Sequence, residues 1–182
     1  MERKSPLLMT LSAGGLAALL SYEGFRAEPY LPNPHDRPTI GYGTTFYPDG
    51  SPVKLTDPPV DKKTAQEYAR VHISKDEKVL QETVGHVPLN QNEYDAYVDF
   101  IYQYGRATWK NSSMVRNLNK GDYLNACNSL LLYRKIRVYD KSLPKGYFLF
   151  DCSTPQNKIC YGVWDRQVKR HARCIEENIL YE

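Results

Sequence analysis

The chain has 182 residues, 41% of them hydrophobic, which suffices for one globular domain with a real core, and a net charge of +3. So small a basic excess excludes a sequence-independent grip on nucleic acid, which needs clustered Lys and Arg against a phosphate backbone. Fifteen Tyr and twelve Pro indicate a surface rich in aromatic and turn positions, compatible with carbohydrate stacking.

From Ser5 to Tyr22 no residue is charged, and Arg3 and Lys4 precede the run. Its length approaches that of a spanning helix, while Ser5, Thr10, Ser12, Gly14, Gly15 and Ser21 keep it weakly apolar. Residues 1–22 are therefore read as a weakly hydrophobic helical segment that associates with a membrane and stays uncleaved, because removal near Ala17 or Ala18 would shorten the helix carrying Glu23. The alternative is a soluble helix capped by Ser12, with Leu16, Leu19 and Leu20 facing the core.

Residues 23–182 read as a single domain, with a β lobe at about 28–60 and a helical lobe at about 61–182. Tyr30-Leu31, Thr39–Tyr42 and Val53–Leu55 are short β-like runs forming a small three-stranded sheet, with Tyr47-Pro48-Asp49-Gly50 as a hairpin turn. Asp57-Pro58-Pro59 breaks the chain, and Asp61 caps a long helix to about Thr83, with a partial apolar stripe from Ala65 to Leu80, that joins the lobes. Helices follow from Asn90 to Tyr104, Ser112 to Lys120, Asp122 to about Tyr133 and Val163 to about Leu180, the first two ended by Gly105 and Gly121. The fold class is thus α+β and mainly helical. Tyr94, Tyr97, Val98, Ile101 and Tyr102 recur at helical spacing, as core residues do.

Cys127, Cys152, Cys160 and Cys174 form neither a CxxC pair nor a zinc spacing, which favours disulfides in an oxidising compartment over metal. A local bridge between Cys152 and Cys160 would leave Cys127 and Cys174 to link two helices, but four cysteines allow three pairings and the sequence does not choose. Arg166, Lys169, Arg170 and Arg173 lie at i, i+3, i+4 and i+7, one basic helix face, read first as solvated surface. His35, His72, His86 and His171 are scattered without ligand spacing, and neither a metal site nor a cofactor is expected.

The pieces Glu23-Gly24, Tyr30, Thr39-Ile40-Gly41-Tyr42-Gly43-Thr44, Tyr102-Gln103-Tyr104-Gly105, Leu118-Asn119-Lys120-Gly121-Asp122-Tyr123 and Ala126 resemble, in order, those of the phage lysozymes, glycoside hydrolase family 24. The resemblance runs from about Leu11 to Cys174. It implies a lysozyme-like fold with a cleft between lobes joined by the long helix, a monomer acting on bacterial peptidoglycan, and cleavage of the β-1,4 bond between N-acetylmuramic acid and N-acetylglucosamine. Carried over by position, Glu23 is the general acid, which near neutral pH must stay protonated through partial burial or a nearby like charge. Thr39 helps place the attacking water or contacts the sugar. Tyr30, Gln103 and Arg166 fall on substrate-binding or supporting positions.

One departure stands out. Where the family places an Asp, or sometimes a Cys, two residues after the matched tyrosine, this chain has Pro32. The segment from Glu23 to Thr39 is one residue longer than usual, so Asn33 could hold a water, or Asp36 could supply the second carboxylate that an inverting hydrolase needs across the sugar. Two other readings follow: a lytic transglycosylase, which needs one acid, and a wall-binding protein that has lost catalysis. Some members of the family are exported by an uncleaved N-terminal segment that holds the enzyme inactive at the inner membrane until it slips out, and Ser5–Tyr22 is similar. That resemblance implies passage through the host inner membrane to the periplasm, the alternative being the cytoplasm until holin-mediated release.

Overall fold

The computed structural model describes residues 2–33 and 36–176. His35 and the predicted end of the last helix, residues 177–180, lie outside the described residues. The uncharged N-terminal run begins with a 3-10 turn, Pro6–Leu8, and continues into helix α1, Ala13–Glu23. Ser12 caps α1 by accepting the Gly15 N–H at 2.9 Å, and Leu16, Leu19 and Leu20 are buried, the spacing of one helix face. Among the described residues no helix is long and apolar enough to cross a membrane.

The residues before α1 are tied to the helical lobe by polar bonds. Lys4 and Leu89 exchange backbone hydrogen bonds of 2.8 Å, Arg3 donates to the buried Glu93 through Nε and Nη2, and the Ser12 N–H donates to Asp95 at 3.0 Å. A Cβ on Gly15 would stand 2.6 Å from Asp95 Oδ2, so the helix approaches that carboxylate as closely as only glycine permits.

Strands β1, Arg26–Tyr30, and β2, Thr39–Gly41, pair antiparallel with a bulge between the registers Arg26↔Gly41 and Tyr30↔Thr39. The expected third strand is reduced to an isolated bridge, Phe46↔Pro52, and a Val53 N–H bond to Thr45. Pro52 has no N–H to give a ladder, and the Lys54 N–H is taken by Asp57 at 2.7 Å. The predicted turn is present, closed by Gly50 N–H to the Tyr47 carbonyl.

Helix α2, Lys62–Val84, starts where Asp61 accepts the Thr64 N–H and buries Ala65, Ala69, Ile73, Asp76, Val79, Leu80 and Val84 along one stripe. Helix α3, Gln91–Tyr104, is the centre of the molecule. A reciprocal box between Asn90 and Glu93 opens it, every residue from Glu93 to Ile101 is buried, and Gly105 at φ +85° ends it. Short helices α4, Arg106–Lys110, α5, Ser113–Leu118, and α6, Tyr123–Ser129, wrap around it, with Ser112 and Asp122 capping the last two. The core joins Leu19, Leu80, Tyr97, Phe100, Trp109, Met114, Leu118 and Ala126, so α1 to α6 all contribute to it.

The C-terminal lobe is not all helix. A hairpin of β3, Lys135–Tyr139, and β4, Tyr147–Asp151, precedes α7, Tyr161–Ile175. Disulfides join Cys127 of α6 to Cys174 of α7 and Cys152 to Cys160 at the foot of the hairpin. The first closes a sequence separation of 47 residues. Cys174→Ser is therefore expected to lower stability by about 4 kcal/mol on the chain-entropy estimate, read as a shift in denaturation midpoint against wild type under non-reducing conditions.

Candidate active site

Glu23 is the last residue of α1, and Gly24 at φ +68° turns the chain sharply into β1. A Cβ at Gly24 would meet nothing within 4 Å, so glycine is required there by the backbone angle rather than by space. The carboxylate, with 22% of its side-chain surface exposed, thus stands at a helix end beside the small sheet.

The Gly-punctuated motif opposite has a structural reason. Ile40 and Thr44 exchange backbone bonds of 2.9 and 3.0 Å, closing a tight loop in which Gly41 and Gly43 adopt φ +64° and +87°. A Cβ on Gly41 would lie 2.8 Å from Ala65 Cβ, so this glycine lets the loop seat on α2. A Cβ on Gly43 would lie 3.7 Å from Glu23 Oε2 and 3.8 Å from the Tyr102 hydroxyl. Tyr102 donates to the Tyr42 carbonyl at 2.7 Å, pinning this loop to α3. Burial, then the nearby Glu23, raise the Tyr102 hydroxyl's pKa, so it stays a neutral donor. Gly43→Ala is expected to cost about 1–3 kcal/mol in backbone strain at its positive φ, measured by thermal melts.

Glu23 Oε1 is held from α7. Arg166 Nη1 donates to it at 2.8 Å, and Nη2 of the same guanidinium donates to Asp99 Oδ1 at 2.5 Å. Arg170 Nε donates to Asp99 Oδ2 at 2.7 Å, Nη2 to Gln103 Oε1 at 2.9 Å, and Nη1 to Gln167 Oε1. The guanidinium of Arg166 also lies 4.8 Å from the Tyr22 ring centroid. Asp99, Arg166 and Arg170 are all buried. Burial works to raise the Asp99 pKa, but Arg170 and Arg166 outweigh it and hold it below the ordinary carboxylate value.

The structure brings Glu23, Arg166 and Gln103 into one network. The basic face read as solvated surface is split: Arg166 and Arg170 are buried against Asp99, Lys169 is exposed and bonded to Asp165, and Arg173 is half-buried. Thr39 is buried on β2, its hydroxyl donating to the Arg37 carbonyl at 3.1 Å. Tyr30, its register partner, has the Arg26 guanidinium 4.2 Å from its ring centroid. Asn33 and Asp36 are exposed and bonded to each other, Asn33 Nδ2 to Asp36 Oδ2 at 2.6 Å. Among the described residues, neither side chain bonds to the Glu23 network. Sequence alone marks Tyr102 only as a core position and motif residue and Gly43 only as part of the Thr39–Thr44 motif, and it does not single out Asp99. An acid on a helix this apolar was the available signal for Asp99, since such a charge demands a cation.

Behind Tyr102 a second buried acid completes the setting. Asp76 of α2 accepts from Arg106 Nε at 2.7 Å and lies 3.6 Å from His72 Nε2, whose ring meets that of Tyr102 edge-on at 5.1 Å. Burial raises the Asp76 pKa and lowers that of His72. Among the described residues no cluster of three metal-ligating side chains occurs.

Residues 20–146 match the family described as Phage lysozyme. An endolysin of Salmonella phage P22 is 31% identical over 128 residues, spanning 70% of this chain and 86% of that one. The crystal structure of a mutant P22 lysozyme superposes with a TM-score of 0.71 at 26% identity, covering 92% of this chain and 99% of that one. An endolysin from the Escherichia coli O157:H7 phage FAHEc1 gives a TM-score of 0.75, covering 97% and 98%, and at 23% identity speaks for the fold alone.

Proposed function

The chain belongs to the phage lysozyme family, and on that premise we propose that it cleaves the β-1,4 bond between N-acetylmuramic acid and N-acetylglucosamine with Glu23 as general acid. It is a lysozyme-type glycoside hydrolase acting on peptidoglycan. The observation that carries the finer reading is the setting of Glu23: Oε1 is fixed by Arg166, a cation where an acid kept protonated asks for burial or a like charge, so Oε2, turned toward Gly43, is the oxygen open to carry the proton and meet the glycosidic oxygen. Glu23 gives its proton to that oxygen as the bond breaks, and positive charge develops on the sugar ring left behind. Thr39 keeps its oxygen lone pairs while its proton goes to Arg37, so it acts as an acceptor for a water or a sugar hydroxyl. Gln103, held by Arg170 through its carbonyl oxygen, directs its amide toward substrate, and Tyr30 offers a ring for stacking.

For hydrolysis, the second group is Asp36, with Asn33 beside it. The mutual bond of those two side chains in an exposed turn favours a second reading, in which Glu23 acts alone and the substrate's own 6-hydroxyl closes an anhydro ring. Purified peptidoglycan treated with wild type, Glu23→Gln and Asp36→Asn separates them by mass spectrometry of the new ends. Reducing muramic ends lost in Asp36→Asn support the two-carboxylate hydrolase, and 1,6-anhydro ends support the single acid. Full activity in Glu23→Gln sinks both.

Export is part of the same reading. Residues 5–22 serve as the uncleaved inner-membrane segment, and because α1 both packs in the core and ends in Glu23, the site assembles only once that helix has left the bilayer. Fractionation that finds the full chain wholly in the cytosol, with lysis dependent on a holin, would refute this route.

A further inference from the structure

The ribbon from Arg134 to Asp151 takes no part in the site described above. β3 and β4 pair in register from Lys135↔Asp151 to Tyr139↔Tyr147. Alternation then puts the pairs Ile136↔Phe150 and Val138↔Phe148 on one face. An apolar sheet face ordinarily packs on a core. This one does not reach the core: Ile136, Val138 and Phe150 are half-buried, Phe148 is 41% exposed, and none of the four is in the hydrophobic core or packed against it.

Charge is concentrated on the same ribbon. Arg134, Lys135, Arg137, Lys141 and Lys145 stand against Asp140 and Asp151, an excess as large as the +3 of the whole chain. Lys141 and Lys145 are exposed at the tip, in a turn closed by the Asp140 N–H to the Gly146 carbonyl at 2.9 Å. On the opposite face, beside Lys135 and Arg137, Tyr139 is 78% exposed and Leu149 59%. The root, by contrast, is fixed. The Cys152–Cys160 disulfide follows β4, the Cys152 N–H donates to the Arg134 carbonyl at 2.7 Å, and Arg134 pairs with Asp151 and faces the Trp164 ring of α7.

We propose that this ribbon is a membrane-binding arm that lays its apolar face on a bilayer containing acidic phospholipids. A second copy of the chain is the wrong size of partner: five paired positions in two strands present roughly 17 by 10 Å, well short of the roughly 800 Å² per subunit of a stable interface. A glycan is the wrong chemistry, since Ile136, Val138, Phe148 and Phe150 offer sugar hydroxyls neither a donor nor an acceptor. A bilayer interface matches both properties at once. Apolar side chains enter the headgroup–acyl boundary, and Lys141 and Lys145 at the tip reach the phosphates, while Lys135 and Arg137 on the opposite face add longer-range attraction. The attachment is separate from residues 5–22 and does not depend on the role of Glu23.

Flotation of the full-length chain with phosphatidylcholine vesicles, with and without phosphatidylglycerol, tests this. Binding is expected only to the mixed vesicles, weakening as salt rises and falling about fivefold for each of Lys141→Ala and Lys145→Ala. Phe148→Ser is expected to abolish it with an unchanged thermal midpoint, since that side chain packs on no core. The two lysine variants should digest soluble peptidoglycan fragments at the wild-type rate. Equal binding to neutral vesicles, or binding retained in the lysine and Phe148 variants, overturns the proposal. So does a dimer dissociated by Phe148→Ser, which would seat a second copy on the face, or a loss of binding to purified wall without any vesicle binding, which would assign the arm to glycan.

Discussion

Glu23→Gln is expected to lower kcat on purified peptidoglycan by about 10²–10⁴-fold while leaving a folded protein. Gln keeps the length and shape of the side chain, and its oxygen still accepts from Arg166 Nη1, so the geometry at the end of α1 survives. What disappears is the proton for the leaving oxygen. Arg166 retains Asp99 as its second partner, so no buried cation is orphaned. The negative end of α1 also disfavours a carboxylate there by about 0.3–1 kcal/mol, which offsets part of the lost ion pair. A turnover assay beside a thermal melt therefore separates the roles: a large fall in rate with a small shift in midpoint is the expected pair. A variant that unfolds would instead make Glu23 chiefly a structural anchor for α7.

The same residues show where sequence is a sufficient guide and where it is not. Ser12 and Asp61 cap their helices as read from sequence, and Asn90, Ser112 and Asp122, read as the first residues of theirs, are the caps, because a cap is a bond over three residues and its logic is local. The motif from Thr39 to Thr44 was legible as a unit, although the reason for its glycines, contact with Ala65 and with Glu23, spans distant elements. The β3–β4 hairpin was missed. Ile136 and Val138 alternate with Lys135, Arg137 and Tyr139 at period two, but the helical outline implied by the resemblance covers those residues, and no core contact enforces the pattern. The two disulfides became distinguishable from the other pairings only when α6 and α7 were seen side by side. Least legible was the support of the proposed acid. Asp99 lies 67 residues from Arg166 and 71 from Arg170, so no spacing rule connects them.

Asp99→Asn is expected to be the most destabilising single change around the site. The carboxylate accepts from both Arg166 and Arg170 in a buried setting, so its loss leaves Arg170 without a carboxylate and Arg166 with Glu23 alone. Breaking such a pair from one side costs about 3–5 kcal/mol, a fall of about 6–20 °C in Tm for a domain of this size. Its pH signature follows from the sign of the shift. Asp99 has a lower pKa folded than unfolded, so its contribution is complete above the unfolded value of about 3.9 and is lost as pH falls through the folded one. Wild type should therefore lose this increment in acid, and Asp99→Asn should lack that part of the acid transition. Activity adds a readout that stability alone does not. With Asp99 gone, Glu23 is the remaining carboxylate on Arg166, and the guanidinium is drawn fully onto the group proposed to carry the proton. The pH–rate profile of the folded variant should move relative to wild type, whereas Asp99→Asn combined with Arg166→Met should regain only part of the stability, Arg170 still lacking its carboxylate, and none of the rate. An unmoved profile in the folded single variant would reduce Asp99 to a packing residue of the α3–α7 interface.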